Sequence, residues 1–342
     1  MKNAFQDTIR LLEQGLEEKV YPYGVVAVGN RNGEIFRYCV GEVTEDKVFD
    51  LASLTKIVST STIVFQFIQQ GYLSLHDKLS DFFDVPDDKK DITIKNLMTH
   101  TSGLPAYIDL MDQCPSPDQV VNFILHWPLA IPVGTDVIYS CMGYIVLAKI
   151  IEQIKGMPMD LIFNQDVAQP LKLKNTGFCL QHLNIAPTAI DNKTGRPLCG
   201  VVHDQNARYL GGISGNAGLF SDIHDLSIFA QMLANGGVIY GHEFISKRML
   251  QVAVQNYTEG MSEHRGLGFS LKSQRSHPAG DLFSIGSFGH TGFTGTSLWV
   301  DKTSGTYVVF LTNRVYLGVS NNKIIRFRRL LHNTIISEIQ GF

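Results

Sequence analysis

KVFDLASLTKIV, residues 47–58, runs from a short apolar segment into a helix and places a serine and a lysine three positions apart at the junction. Val48 to Leu51 reads as the apolar entry, and Ser53 to Gln70 reads as a buried helix. Helical residues three apart project from one face, so Ser53 and Lys56 are expected to meet. A serine hydroxyl is a poor nucleophile near neutral pH and needs a neighbouring base. Lysine can serve if burial or a nearby cation lowers its pKa. Because Ser53 opens the helix, its own N–H is left free to bind a developing oxyanion.

Outward from this junction, both chain ends read as sheet. Tyr23 to Gly29 and Glu34 to Val40 are rich in β-branched and aromatic residues, and Asn32-Gly33 between them suits a tight hairpin. Leu267 to Leu271, Phe283 to Gly289, Ser297 to Val300 and Tyr307 to Thr312 are further strand candidates. Two amphipathic helices frame them. Phe5, Ile9, Leu12 and Leu16 recur at helical spacing near the start; Ile324, Phe327, Leu331, Ile335 and Ile339 do so at the end. Residues 72 to 210 read as mostly helical with long loops. Ser116-Pro117-Asp118-Gln119 marks one helix start, and another helix runs from just after Tyr139 to about Ile154. Residues 180 to 210 lack periodicity and read as loop. The expected fold is α+β: an antiparallel sheet built from both chain ends and flanked by helices (1–71 and 211–342), with a mostly helical domain (72–210) inserted.

Composition narrows the function. The 342 residues carry Lys+Arg 29 against Asp+Glu 32, a net charge of −3, which gives no general pull toward nucleic acid or anionic membrane. The basic run Lys323, Arg326, Arg328 and Arg329 reads as the solvated face of the last helix. No apolar run is long enough to span a membrane. Asp7, Arg10 and Glu13 interrupt any signal-like stretch, so the chain reads as cytoplasmic, or as exported if a leader has been removed. The five cysteines (Cys39, Cys114, Cys141, Cys179 and Cys199) are odd in number and show no CxxC spacing, which argues against a disulfide framework or zinc site. His242-Glu243 lacks the second histidine of a zinc-protease helix. No G-x-S-x-G elbow, P-loop or dinucleotide fingerprint occurs.

A bare S-x-x-K pattern is weak evidence, and Ser320-Asn321-Asn322-Lys323 is a second match. Only the final helix follows Ser320, however, whereas two further motifs follow Ser53. These are Tyr139-Ser140-Cys141 and, in GSFGHTGFTGTSLWVD, His290-Thr291-Gly292. This order, together with GYLSLHDKLSDFF, IKNLMTHTSGL, VVHDQNARYLGGISGNAGLFS and FGHTGFTGTS, resembles class C β-lactamases, low-molecular-weight penicillin-binding proteins and related esterases over residues 49 to 313.

The resemblance implies that Ser53 attacks a carbonyl and becomes acylated. It implies that Lys56 takes the serine proton, that Tyr139 relays a proton to the leaving group, and that His290 lies near Tyr139 and the substrate. The N–H groups of Ser53 and Phe293 would form the oxyanion hole, with Cys141, Thr291 and Gly292 lining the substrate site. No metal or cofactor is implied, and the partner is a small-molecule or peptide-like acyl substrate. Two positions depart from the family pattern. Cys141 stands where asparagine or aspartate is usual, and a thiol is a weak donor and acceptor. His290 stands where lysine is frequent, which implies weaker, pH-dependent anchoring of a substrate carboxylate. Both departures favour esters or D-amino-acid peptides over efficient β-lactam hydrolysis. The alternative is a catalytically weak penicillin- or peptide-binding protein on the same fold. His100, the pair His203-Asp204, Ser214 and Asn216 read as structural.

Overall fold

The computed structural model describes residues 5–181, 184–190 and 195–339. Its centre is a six-stranded antiparallel sheet made of β1 (Gly24–Asn30), β2 (Gly33–Val40), β3 (Ser270–Leu271), β4 (Phe288–Thr291), β5 (Ser297–Val300) and β6 (Tyr307–Thr312). The spatial order is β3-β4-β5-β6-β1-β2. Strand β1 pairs with β6 from Gly24 opposite Thr312 to Gly29 opposite Tyr307, which joins the two chain ends. The expected antiparallel sheet, assembled from both termini, is the observed one.

Helices cover both faces, and the two-residue period of the strands decides which side chains meet which layer. Val26, Val28, Trp299, Val308 and Phe310 point to a core closed by α1 (Gln6–Glu17) and by Phe327, Leu331 and Ile335 of the C-terminal helix Lys323–Ile339. Val25, Ala27, Leu298, Val309 and Leu311 point the other way. There they meet Leu54, Ile57 and α4, the helix Ile223–Ala234, with Leu226, Phe229 and Leu233. Helix α4 begins at Asp222, whose carboxylate accepts from Asp225 N at 2.8 Å and caps the first turn. Between α1 and α4 in chain order lie α2 (Thr62–Gln70) and α3 (Cys141–Lys155); the C-terminal helix is α5.

Several expectations change in detail, each for a local reason. The first hairpin turns at Arg31-Asn32, with Asn30 opposite Gly33, and Gly33 is its positive-φ residue. Phe283 to Ser287 form a turn, not a strand, because the Asp301 carboxylate gathers Ser284 N at 2.6 Å and Ser287 Oγ at 3.1 Å. Gly268, at φ +81°, breaks the expected strand at Leu267 to Leu271 and leaves only its last two residues paired. The helix after Ser53 is wound widely over Lys56–Ser61 before regular α2, and Thr62 Oγ1 donates to Ile57 O at 2.8 Å. Such wide turns are frequent at functional sites. Pro117 starts a short 3₁₀ turn that leads into the helix Val120–His126, but the Ser116 hydroxyl does not cap it. The 180–210 segment holds a small hairpin, Ala189–Ile190 with Pro197–Leu198, and the helix Gln205–Tyr209; residues 182–183 and 191–194 lie outside the described residues. His242–Glu243 sits in an exposed two-stranded hairpin. No helix among the described residues is long and apolar enough to cross a membrane.

Strand β4 must lie close against β5. A Cβ at Gly289 would come 2.0 Å from Leu298 O and 2.7 Å from the Trp299 ring. Gly289→Ala is therefore expected to destabilise the protein by about 1–3 kcal/mol through overpacking, measured as a lower midpoint in denaturant at unchanged slope. An unchanged midpoint would contradict the close approach.

Candidate active site

The nucleophile turn is built by the small sheet Phe49–Asp50, Leu219–Ser221 and Gly177–Phe178. It delivers the chain to Ala52, a non-glycine residue at φ +46°. A left-handed alanine is strained and needs support from its surroundings. The Asp50 carboxylate supplies it by accepting Ala52 N at 2.8 Å and His203 N at 2.7 Å. Burial pushes the Asp50 carboxyl up to about 6 despite these two amide donors. The turn exposes Ser53 to the cleft and sends Lys56 into the interior.

Lys56 is fully buried. Its Nζ donates to Ser53 Oγ at 3.1 Å, to Asn216 O at 3.0 Å and to Cys141 Sγ at 3.5 Å. An ammonium has three donors and no acceptor, and all three find a partner here. Among the described residues, no carboxylate forms an ion pair with Nζ. Nζ also lies 5.0 Å from the centre of the Tyr139 ring. Burial, the largest influence, pulls the Lys56 ammonium down, but the Cys141 thiol and the Tyr139 phenol outweigh it, so its pKa lies above the ordinary lysine value. The expected direction is reversed: Lys56 rests as an ammonium.

Tyr139 is set by the start of α3. Ser140 N donates to His100 Nδ1 at 3.1 Å, Ser140 Oγ to Pro105 O at 2.7 Å, and Cys141 N to Ala106 O at 3.1 Å. His100 is buried at φ +60°, with its ring 4.6 Å from that of Tyr139. It is thus structural, as expected, but it acts directly on the tyrosine's anchor. Asn216, expected to shape a loop, gives its carbonyl to Lys56, while its side-chain Oδ1 accepts from Ser214 Oγ at 2.7 Å. Asp204 caps the helix Gln205–Tyr209 and does not pair with His203 in an acid–base dyad.

His290, at the edge of the sheet on β4, is 4% exposed, and its ring lies 5.6 Å from Tyr139. Its Nδ1 contacts Thr291 O at 2.8 Å, so Nδ1 carries the proton and Nε2 is left as an acceptor. Burial first, then Arg265 and Lys56, hold the ring well below the ordinary histidine pKa. His290 is therefore neutral at working pH, and the anticipated pH-dependent anchoring by an imidazolium is replaced by a neutral ring.

The cation stacked on Tyr139 is Arg265, which motif reading did not single out; Arg275, Arg314 and Arg328 line the same cleft. It is 6% exposed, and its guanidinium lies 5.2 Å over the Tyr139 ring. Its Nη2 pairs with Glu263, and its Nε has no partner. Backbone bonds to Thr258 Oγ1 at 2.8 Å and from Tyr257 N at 2.9 Å fix its position. The only signal was a lone charge in EHRGLG, which carries no spacing rule.

Ser53, Tyr139, Arg265, His290, Gly292 and Phe293 line one cleft of about 660 Å³, together with Thr291. Tyr139 Oη, His290 Nε2 and Arg265 Nε are buried without hydrogen-bond partners. Among the described residues, the N–H groups of Ser53 and Phe293 also donate to no protein acceptor. Buried polar groups are seldom left unpaired, so these three side-chain groups, beside the free Ser53 and Phe293 N–H groups, mark this cleft as a candidate binding site.

The family model described as beta-lactamase matches residues 8–333. The chain belongs to the β-lactamase family. A Salmonella agona (strain SL483) protein named "Putative D-alanyl-D-alanine carboxypeptidase" is 32% identical, over 82% of this chain and 72% of that one. Two solved structures share the fold at lower identity. One is EstCE1, described as a hydrolase with promiscuous acyltransferase activity (TM-score 0.77, 21% identity, 96% of this chain and 99% of that chain). The other is a penicillin-binding-protein homologue from Caulobacter crescentus (TM-score 0.77, 17% identity, 97% of each chain).

A neutral His290 has a measurable consequence. The KM for a carboxylate-bearing substrate is expected to stay level between about pH 5.5 and 8, since burial and the neighbouring cations hold His290 well below the ordinary histidine pKa. A KM that rises through a pKa near 6.5 would show that the imidazolium holds it instead.

Proposed function

We propose that this protein is a serine hydrolase that works through an acyl-Ser53 intermediate on small peptide or ester substrates bearing a free carboxylate. The convergence of three buried, unpaired side-chain groups and two free backbone N–H groups on one cleft, beside a lysine in contact with the serine oxygen, carries this reading. In the reactive form, Lys56 and Tyr139 together have lost one proton. Either member of the pair can take the Ser53 proton, and the Lys56 Nζ contact at 3.1 Å steadies the attacking oxygen. Tyr139 then returns the proton to the leaving group, and the Ser53 and Phe293 amides hold the oxyanion; each such donor is worth about 3–4 kcal/mol. Water deacylates the serine with the same groups in reverse.

Arg265 supplies the charge that the family's lysine would bring and that His290 lacks. Its cationic guanidinium at the cleft wall favours a substrate carboxylate, which suits a peptide with a free C-terminus, a D-amino-acid peptide among them. Cys141 offers only a thiol to the substrate amide, which disfavours efficient β-lactam turnover. The division of labour belongs to the same proposal. Residues 1–71 and 211–342 contribute Ser53, Lys56, Arg265 and His290, and the inserted helical domain, residues 72–210, contributes Tyr139 and Cys141.

Sustained turnover of a chromogenic ester is expected, with loss of at least about 10³-fold in Ser53→Ala. A single stoichiometric burst without turnover would instead support the binding-protein reading. Arg265→Ala is expected to raise KM about 10–100-fold for a carboxylate-bearing acyl donor, as loss of a charged hydrogen bond costs about 1.5–3 kcal/mol. A neutral ester should be little affected. Equal losses for both substrates would remove Arg265 from carboxylate recognition.

A further inference from the structure

We propose that Arg328, supported by Arg314, is a positioning residue for the oxyanion site, setting the direction in which the Phe293 N–H points. The inference rests on the acyl-Ser53 reading above and adds to it a residue outside the recognised motifs. In sequence Arg328 belongs to a basic run that suggested a solvated helix face. In the structure it turns inward from α5 and is 6% exposed.

The turn Gly292–Thr296 joins β4 to β5 and presents Phe293 to the cleft. Its ends are closed by Gly292 N donating to Thr296 O at 2.7 Å, and Gly295 N donates to Gly292 O at 3.2 Å. Arg328 Nη2 donates to both end carbonyls, Gly292 O at 3.0 Å and Thr296 O at 2.9 Å. The Gly292 carbonyl and the Phe293 N–H belong to one peptide unit. A trans peptide is planar, with its C=O and N–H on opposite edges. Tying the carbonyl toward α5 therefore turns the N–H away from it, into the cleft beside Ser53. A cation on the carbonyl also polarises the peptide and strengthens the N–H as a donor.

The next two peptides are held from the same side. Arg314 Nε donates to Phe293 O at 3.0 Å, and Arg314 N donates to Thr294 O at 2.7 Å. The Arg314 guanidinium also lies 4.7 Å over the Phe293 ring. On the opposite side, Thr294 Oγ1 donates to Asp50 O at 2.9 Å and Thr296 Oγ1 to Leu51 O at 3.1 Å, which ties the turn to the nucleophile elbow. Gly292 has no room for a side chain, because a Cβ would lie 2.1 Å from Thr296 Oγ1 and 2.6 Å from Leu51 O. Both halves of the oxyanion site are thus fixed against each other, with Arg328 as the strut behind the second.

Arg328 has no carboxylate partner among the described residues, and its Nε makes no hydrogen bond. Burial, then Arg314, pull its pKa down to about 9, which leaves it cationic at neutral pH. An unpaired buried cation is costly unless its surroundings use it. Here its only anionic complement would be the oxyanion across the Gly292–Phe293 peptide.

The test compares the parent with Arg328→Met, Arg328→Lys and Arg314→Gln. It measures Ser53 acylation by a neutral chromogenic ester and the affinity for phenylboronic acid, a tetrahedral mimic on the serine. In Arg328→Met, acylation is expected to fall about 10–100-fold with KM changed less than about threefold, as for partial loss of an oxyanion donor. Boronate affinity should fall by the same factor as acylation. Arg328→Lys, which keeps the charge, should recover part of both losses, and Arg314→Gln should show a smaller loss with the same pattern. If Arg328→Met does not fold, Arg328→Lys and Arg314→Gln carry the comparison. Folded variants that acylate at the parent rate, or that lose acylation while keeping full boronate affinity, overturn the inference and leave the acyl-serine reading intact. A parent that forms no acyl-Ser53 overturns both.

Discussion

A lysine ammonium sealed in the interior, with no carboxylate bonded to it among the described residues, is the constraint on which the rest of the site depends. Moving such a charge out of water costs several kcal/mol unless every donor is met. Lys56 meets that requirement with one serine oxygen, one backbone carbonyl and one thiol. Each partner comes from a different part of the chain: the nucleophile turn, the 214–218 loop and the start of α3. The lysine thus both assembles the site and charges it. The buried hydroxyls of Thr55, Thr60 and Ser61 support the same wide-wound helix, by accepting from Leu219 N, donating to Gly215 O and contacting Tyr144 Oη.

Around this cation the cleft is electrostatically graded. His290 is kept neutral by burial and by its cationic neighbours, so it presents an acceptor nitrogen rather than a charge. Arg265 provides a buried cation, paired with Glu263 and stacked over Tyr139. Two further arginines lie behind the 292–296 turn and act on backbone carbonyls.

Much of this was legible in the sequence, because it depends on local spacing. The Ser53–Lys56 contact follows from helical periodicity, and the antiparallel sheet follows from alternating β-branched segments at both ends. What was not legible depends on tertiary placement. Arg328 looks like a surface residue by composition and is internal because α5 packs over the β4–β5 turn. Arg265 carries no spacing signal, since its partners Tyr139 and His290 are distant in the chain. The upward direction of the Lys56 shift was not legible either, because Cys141 and Tyr139, which oppose the effect of burial, come into contact with the lysine only on folding. Gly268 and Asp301 shortened two expected strands through backbone geometry that hydropathy does not register.

The central claim is that the buried Lys56 ammonium and its neighbours activate one hydroxyl, that of Ser53. Peptide-mapped mass spectrometry after limited exposure to a fluorophosphonate tests it most directly, in the parent and in Lys56→Met. The account predicts a single adduct on the Ser53 peptide, formed at least about 100-fold more slowly in the variant. An adduct elsewhere, or one that forms at the parent rate without the lysine, would contradict it.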